Sequence, residues 1–407
     1  MRRFKRTLVA VALAAAVVGG TAGWASGNAQ RPVTGPPPGS AAWRADGSLG
    51  RPLPDPATAS PARVARFFAE LTPRQRQRLL HRHPLVVGNL DGVPVALRYE
   101  ANSLAVRAER DPRYERLAAP GRQILAFDPR GRGQVAEVYG DLAGARHVSV
   151  VVPGSGIDAE TFDRTKDRNG TPAGMAASLR AATGGRTAVI AWAGYTTPVG
   201  VGLDVATGDL AEAGAGRLAR FTQGLAAVGA AKPVLFCHSY GSVVCGLAAH
   251  EVNASDIVVF GSPGMRAGSV VDLHTNARVW AAKNSSDWIS RIPNVEFAGL
   301  GHGADPADPA FGARQVPAAE ARGHTGYLAP GTDSLRAFAA IAEGRATWAG
   351  TTWRPTTQAR ATWRRTTWPR TTQARPTQAV NTQAPTTHTT TALTPAAPAP
   401  ATPGGTR

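Results

Sequence analysis

The chain has 407 residues, with 45 Lys and Arg against 28 Asp and Glu, a formal net charge of +17. Hydrophobic residues make up 43%, which builds a sizeable core and excludes wholesale disorder. Two cysteines exclude a disulfide-dense scaffold and argue against a multi-cysteine zinc site.

The charge is unevenly placed. Arg2, Arg3, Lys5 and Arg6 open the chain, and from residue 346 on seven arginines stand without one acid. Only +6 remains over residues 7–345. The densest run there, Arg74, Arg76, Arg78 and Arg82, follows Leu71-Thr72-Pro73 and reads as the solvated side of a short helix. A nucleic-acid footprint needs a basic cluster on one element with interleaved aromatics. The expectation is therefore no nucleic-acid partner.

In chain order, residues 1–25 carry a basic start, an apolar run from Leu8 to Val18 and a small-x-small site at Gly23-Trp24-Ala25. This is the pattern of a secretory signal peptide, with an uncleaved anchor as the alternative. The expected location is secreted or cell-envelope associated. Residues 26–60, rich in Pro, Gly, Ala and Ser, read as a linker. Residues 61–83 have helical periodicity in Val64, Phe67, Phe68, Leu71, Leu79 and Leu80. The folded body is placed at 61–345, including this helical segment.

Eight short apolar runs follow: Ile124–Phe127, Val135–Tyr139, Val148–Val152, Ala188–Trp192, Val234–Phe236, Ile257–Phe260, Arg278–Ala282 and Val295–Phe297. The first two are spaced for a hairpin across Asp128–Gly131. Later runs alternate with helical segments at Asp204–Val228 and Ser242–Val252, and a last helix lies near Leu335–Glu343. Continuous Val/Ile/Leu runs between helices predict an α/β fold: a mostly parallel sheet of about eight strands with helices on both faces.

The most informative segment is PVLFCHSYGSVVCGL, residues 233–247. An apolar strand runs into Cys237-His238-Ser239-Tyr240-Gly241, and a helix follows. This is the strand-turn-helix setting of a nucleophile elbow, whose tight turn needs small residues two places before and after the serine. Gly241 meets that need; Cys237 stands where glycine is usual. The elbow exposes the Ser239 hydroxyl at a helix N-terminus, where the Tyr240 N–H faces a developing oxyanion. The plainer alternative is a serine N-cap after a core strand. Cys237 and Cys245, eight apart, are expected to lie beyond the roughly 7 Å Cα limit for a disulfide and to stay free thiols.

Here the chain resembles the actinobacterial α/β-hydrolase family long carried as a domain of unknown function. The matching residues are Val151–Asp158 (VVPGSGID), His238–Ser242 (HSYGS), Gly261–Gly264 (GSPG), Asp287, His302-Gly303, Asp305-Pro306 and Gly323-His324. Asn89–Pro94 and Ala101-Asn102 also match, so the resemblance spans about residues 60–345. It implies the α/β-hydrolase fold and a Ser-His-Asp triad, and little about substrate.

A serine hydroxyl needs a base, and the base needs an orienting acid. In this fold the chain order is serine, acid, histidine. Asp287, just after the Arg278–Ala282 run, is the expected acid, though it also reads as a helix cap before Trp288 and Ile289. Asp305 and Asp308 are rivals; Asp256 and Asp272 are less well placed. His324, on a late loop, is the expected base, and His302 is the rival expected to shape the active-site loop. His238 is expected to point away from the Ser239 hydroxyl. Gly154, Ser155 and Gly156 form the loop after the third strand, with the Ser155 or Gly156 N–H as second oxyanion donor. No metal ligands at zinc-binding spacing and no cofactor motif are read.

From 346 to 407 the composition shifts to Thr, Pro, Arg and Gln, with a direct 15-residue repeat at 346–360 and 361–375. Without an apolar face this tail is expected to be disordered. Its Trp348, Trp353, Trp363 and Trp368 leave two readings, adhesion to an anionic cell envelope or repeat expansion without function. The expected activity is hydrolysis of small-molecule or lipid carboxylic esters through an acyl-enzyme. Acyl transfer to an envelope sugar or lipid, or a non-catalytic envelope-binding role, are the alternatives.

Overall fold

The computed structural model describes residues 30–200, 202–292, 294–297, 300–349 and 352–354. The predicted signal segment 1–25 lies outside these residues, as does nearly all of the repeat tail. Of that tail only β11 (Thr347–Ala349) and β12 (Thr352–Arg354) are described, as an antiparallel ribbon.

The strands in chain order are β1 Ile124–Asp128, β2 Gln134–Tyr139, β3 His147–Val152, β4 Thr187–Ala193, β5 Val234–His238, β6 Asp256–Phe260, β7 Arg278–Ala282, β8 Glu296–Phe297, β9 Leu300–Gly301 and β10 Arg314–Val316. Eight of them form one sheet in the order β1-β2-β4-β3-β5-β6-β7-β10. The β1–β2 and β2–β4 pairs are antiparallel, and every pair from β4 to β10 is parallel. β3, β4, β5 and β6 are buried along almost their whole length, as strands covered on both faces must be.

The count of eight holds, but its last member differs. The Val295–Phe297 run forms the small β8–β9 ribbon instead, and the eighth strand is Arg314–Val316. That strand is three residues long with only Val316 buried, so it offers no apolar run to read.

Helices Asp209–Ala227 and Gly241–Ala248 cover one face of the sheet. Leu218, Phe221, Val243 and Val244 meet Val150, Ile190 and Leu235 there. Helices Pro172–Ala182 and Asp333–Ala342 cover the other, where Leu179, Phe338 and Ile341 meet Phe236, Val258 and Trp280. Fully burying one such Leu or Phe stabilises by about 1.5–3 kcal/mol, so these two layers carry most of the fold.

A third apolar cluster belongs to the N-terminal helices Pro61–Glu70, Pro73–Arg82, Pro84–Asn89 and Val95–Glu109. Ser60 and Thr72 cap the first two, each accepting from the backbone N–H three residues on. The segment expected to be a linker packs from residue 30 on, with Trp43, Leu49, Leu53 and Ala59 in this cluster. Trp43 is fully buried and its Nε1 donates to the Pro54 carbonyl at 2.8 Å. Asp46 is buried and paired with His83 at 2.7 Å and Arg82 at 2.9 Å. One buried tryptophan and one buried ion pair anchor an otherwise Pro- and Gly-rich stretch. No helix among the described residues is long and apolar enough to cross a membrane.

Candidate active site

The site forms where the carboxyl ends of β3, β5, β6 and β7 meet the loop before the last helix. β5 ends at His238, Ser239 takes a left-handed φ of 53°, and the helix starts at Gly241. A non-glycine residue there is strained, and such strain persists only when its surroundings hold it. The Ser239 N–H donates to the Phe260 carbonyl at 3.1 Å, and the Ser242 hydroxyl donates to the Cys237 carbonyl at 3.1 Å. Gly241 is obligatory: a Cβ there would lie 2.5 Å from the Val152 oxygen and 2.7 Å from the Pro153 oxygen.

Cys237 and Cys245 form a disulfide, with Cα atoms 6.5 Å apart, which overturns the expectation of free thiols. The elbow turns the chain back on itself, so the second turn of the helix, at Cys245, returns beside the strand end. Counting residues along the chain overestimates that distance. The cysteine in the place of the usual glycine thus ties the turn to the helix that follows it.

His324 Nε2 lies 2.8 Å from Ser239 Oγ, and His324 Nδ1 lies 2.9 Å from Asp287 Oδ1. Ser239 is partly buried, and the His324 side chain is 16% exposed while that of Asp287 is fully buried. Asp287 makes the contacts that both readings call for. The same Oδ1 accepts the Ile289 N–H at 3.0 Å, capping the short helix Trp288–Arg291, while it meets His324. Burial pushes the Asp287 carboxyl upward, yet hydrogen bonds from His324, Ile289 N–H and Tyr327 outweigh it and hold the group below its ordinary 3.8.

Several residues here escaped the sequence reading. The Tyr327 hydroxyl donates to Asp287 Oδ2 at 2.8 Å and accepts the Asn284 N–H at 3.1 Å. Burial pushes this phenol well above its ordinary value, so it remains a donor. The Asn284 side-chain amide donates to the Gly323 carbonyl at 2.9 Å, and the Gly323 N–H donates to Ser286 Oγ at 2.9 Å. The acid loop and the histidine loop are therefore stitched together. Tyr327 stands three places after His324 in GHTGY, so its signal was present, but nothing in spacing says that it turns back to the acid. The Trp288 ring lies 4.9 Å from that of His324 and is 49% exposed.

His238 points away from the serine hydroxyl, and its Nε2 donates to the His324 carbonyl at 2.8 Å. Burial and the nearby His324 push it down to about 3, so it stays neutral. His302 lies outside the Ser239–His324–Asp287 chain. Its Nε2 donates to the Val205 carbonyl at 2.7 Å, its ring meets Tyr240 edge-on at 5.6 Å, and burial pushes it down to about 4.

Asp305 pairs with Lys283, Asp308 caps a short turn at Ala310, Asp256 pairs with Arg278 and Asp272 holds the Gly268 N–H. None of these rivals is offered to His324.

On the other side of Ser239, a Cβ at Gly154 would lie 2.5 Å from the serine Cβ and 3.0 Å from its Oγ. The missing side chain is what lets the loop after β3 approach the hydroxyl. The Gly156 N–H donates to the Pro198 carbonyl at 2.8 Å. It is therefore spent within the fold, which removes it from the oxyanion candidates and leaves Tyr240 and Ser155. Among the described residues no group of three His, Cys, Asp or Glu side chains could hold a metal ion.

Residues 128–297 match a family model described as Alpha/beta hydrolase. The chain has the α/β-hydrolase fold. It is 29% identical over 374 aligned residues to two proteins of Mycobacterium tuberculosis, the uncharacterized proteins MT2140 of strain CDC 1551 and Rv2079 of strain H37Rv. The match covers 72% of this chain and 57% of each relative, so the chain spans a little over half the length of the curated relatives it matches. Among solved structures it is similar to a dienelactone hydrolase from Anabaena variabilis, at 18% identity and TM-score 0.35 over 52% of this chain and 90% of that one. It is also similar to an esterase from Pyrobaculum calidifontis, at 14% identity and TM-score 0.34 over 67% of this chain and 97% of that one.

Proposed function

We propose that the α/β-hydrolase domain is a serine hydrolase of carboxylic esters. The observation that carries the reading is the unbroken hydrogen-bond chain Ser239–His324–Asp287–Tyr327. Ser239 Oγ attacks the ester carbonyl carbon while its proton passes to His324 Nε2. The imidazolium formed is held by Asp287, which stays ionised. The oxyanion develops toward the Tyr240 N–H at the helix start and the backbone at Ser155. Collapse of this intermediate breaks the C–O bond to the leaving alcohol, which takes the proton from His324. Water, deprotonated by the same histidine, then attacks the acyl-enzyme and releases the acid.

An apolar acyl or alcohol group is supported by Trp288, which is 49% exposed with its ring 4.9 Å from that of His324. Secretion through the N-terminal segment, and envelope contact through the Trp- and Arg-rich tail, remain part of the proposal as sequence-based elements.

The test is hydrolysis of a p-nitrophenyl ester series of rising acyl length. Wild type is expected to turn over at least one ester, and Ser239→Ala is expected to lose about 10⁴-fold or more in kcat. Equal rates for the two proteins would end the serine-hydrolase reading.

A further inference from the structure

A cavity of about 420 Å³ lies against β1, β2 and β4 and the helix Asp209–Ala227. None of Ser239, Asp287 and His324 lines it. Its walls are apolar at Val33, Pro36, Val135, Trp192 and Phe221. The N-terminal strap closes one side. It is tied down by the Val33 N–H to Thr196 Oγ1 at 3.0 Å and by Arg130 to the Thr34 carbonyl at 3.0 Å.

Along the helix, Ala213, Gly216, Arg217 and Arg220 recur at three- and four-residue spacing and present one stripe to the cavity. Its charges are unequally matched. Asp91 is paired with Arg98 at 3.1 Å and Arg220 at 3.8 Å, and Asp128 with Arg130 at 2.6 Å. Glu212 is an exposed acid in the first turn of the helix. Arg217 differs. Its Nε donates to the Gly194 carbonyl at 2.6 Å, and the carboxylates of Asp128 and Asp91 act on it only from beyond ion-pair range. Beside it in the lining, Gln134 is 3% exposed, and neither its Nε2 nor its Oε1 has a hydrogen-bond partner. A buried amide is ordinarily satisfied, so the unpartnered Gln134 on this cavity calls for a ligand, and the Arg217 guanidinium in the same lining offers it a cation.

We infer that this cavity is a binding site for a small organic monoanion, a carboxylate head on an apolar body. The two Nη atoms of Arg217 form the end-on fork that a carboxylate accepts bidentately. The Gln134 amide supplies a further donor, and the Trp192–Phe221 wall takes the apolar part. The volume lies within the range of about 300–1,000 Å³ usual for small-molecule sites. Nothing in this inference depends on the proposed triad.

The test is isothermal titration of the full chain with octanoate below its micelle concentration, beside octanol and inorganic phosphate. Octanoate is expected to saturate one site, with octanol and phosphate each weaker by about tenfold or more, since each lacks one half of the recognition. Arg217→Gln is expected to weaken octanoate by about tenfold or more. Gly216→Leu provides a second variant. A Cβ at Gly216 meets nothing within 4 Å, and leaving glycine favours a helix, so this chain folds while its new side chain fills the cavity stripe. It too is expected to block octanoate. Trp288→Ala, on the rim of the triad, is expected to leave the affinity unchanged. Absent saturation, equal affinity for octanol or phosphate, indifference to both cavity variants, or loss of binding in Trp288→Ala would each overturn the inference.

Discussion

The chain from Ser239 to Tyr327 and the cavity around Arg217 treat polar groups in opposite ways. In the first, both nitrogens of His324, both oxygens of Asp287 and the hydroxyl of Tyr327 have partners at 2.8–3.1 Å. In the second, the Gln134 amide has no partner, and Asp128 and Asp91 face Arg217 only from beyond ion-pair range. A closed relay fixes its geometry before any ligand arrives, which is what preorganised chemistry needs. An open set of buried donors is costly until a ligand completes it, which is what a binding site tolerates. The contrast separates the region proposed to react from the one proposed to hold a ligand.

Four changes would break or sharpen this contrast. The largest effect is expected at Gly154. Gly154→Ala places a methyl group 2.5 Å from the Ser239 Cβ, and esterase activity should fall about 10³-fold while the circular dichroism stays native. Retained activity would mean that the loop after β3 does not frame the reacting group.

The next concerns acid. His238 and His302 are held neutral by burial, at about 3 and about 4 against an ordinary 6.5. The unfolded chain takes up these protons first, so the stability they permit is complete above about pH 6.5 and is lost as pH falls toward 4. The slope contributed is up to about 1.4 kcal/mol per pH unit for each histidine. Thermal unfolding followed from pH 7 to 4 should flatten in His302→Gln. An unchanged slope would place the acid sensitivity elsewhere.

Tyr327→Phe removes the donor to Asp287 Oδ2, and kcat should fall about tenfold with KM nearly unchanged. Rates equal to wild type would make the tyrosine a packing residue alone. The smallest effect is expected on the cavity side. Arg217→Met removes a cation without a close carboxylate, at the loss of its bond to the Gly194 carbonyl, and should change stability by no more than about 1 kcal/mol in ligand-free protein. A loss of several kcal/mol would show that Arg217 serves the fold.

Legibility in the sequence followed the same division. Strands β3 to β7 are buried on both faces, so they stand out as apolar runs. The elbow is a local motif whose small residues are forced by the Val152 and Pro153 carbonyls. Chain order then sufficed to place Asp287 and His324 as candidates. What stayed hidden depends on distant contacts. β10 is too short and too exposed to leave a pattern. The Cys237–Cys245 bond depends on how sharply the elbow reverses the chain. Tyr327 and Asn284 act across two loops far apart in sequence. Residues 30–60 look like a linker because composition hides the buried Trp43 and the buried Asp46 that anchor them. The Arg217 cavity left no trace, since an arginine on an amphipathic helix ordinarily reads as solvated surface.

The central claim is that Ser239 is a nucleophile activated by His324. A fluorophosphonate probe tests it most directly, read by intact mass and peptide mapping. The account predicts one adduct per chain, on Ser239, absent in Ser239→Ala and strongly slowed in His324→Ala. No adduct on the folded wild-type chain, or an adduct that survives Ser239→Ala, would contradict it.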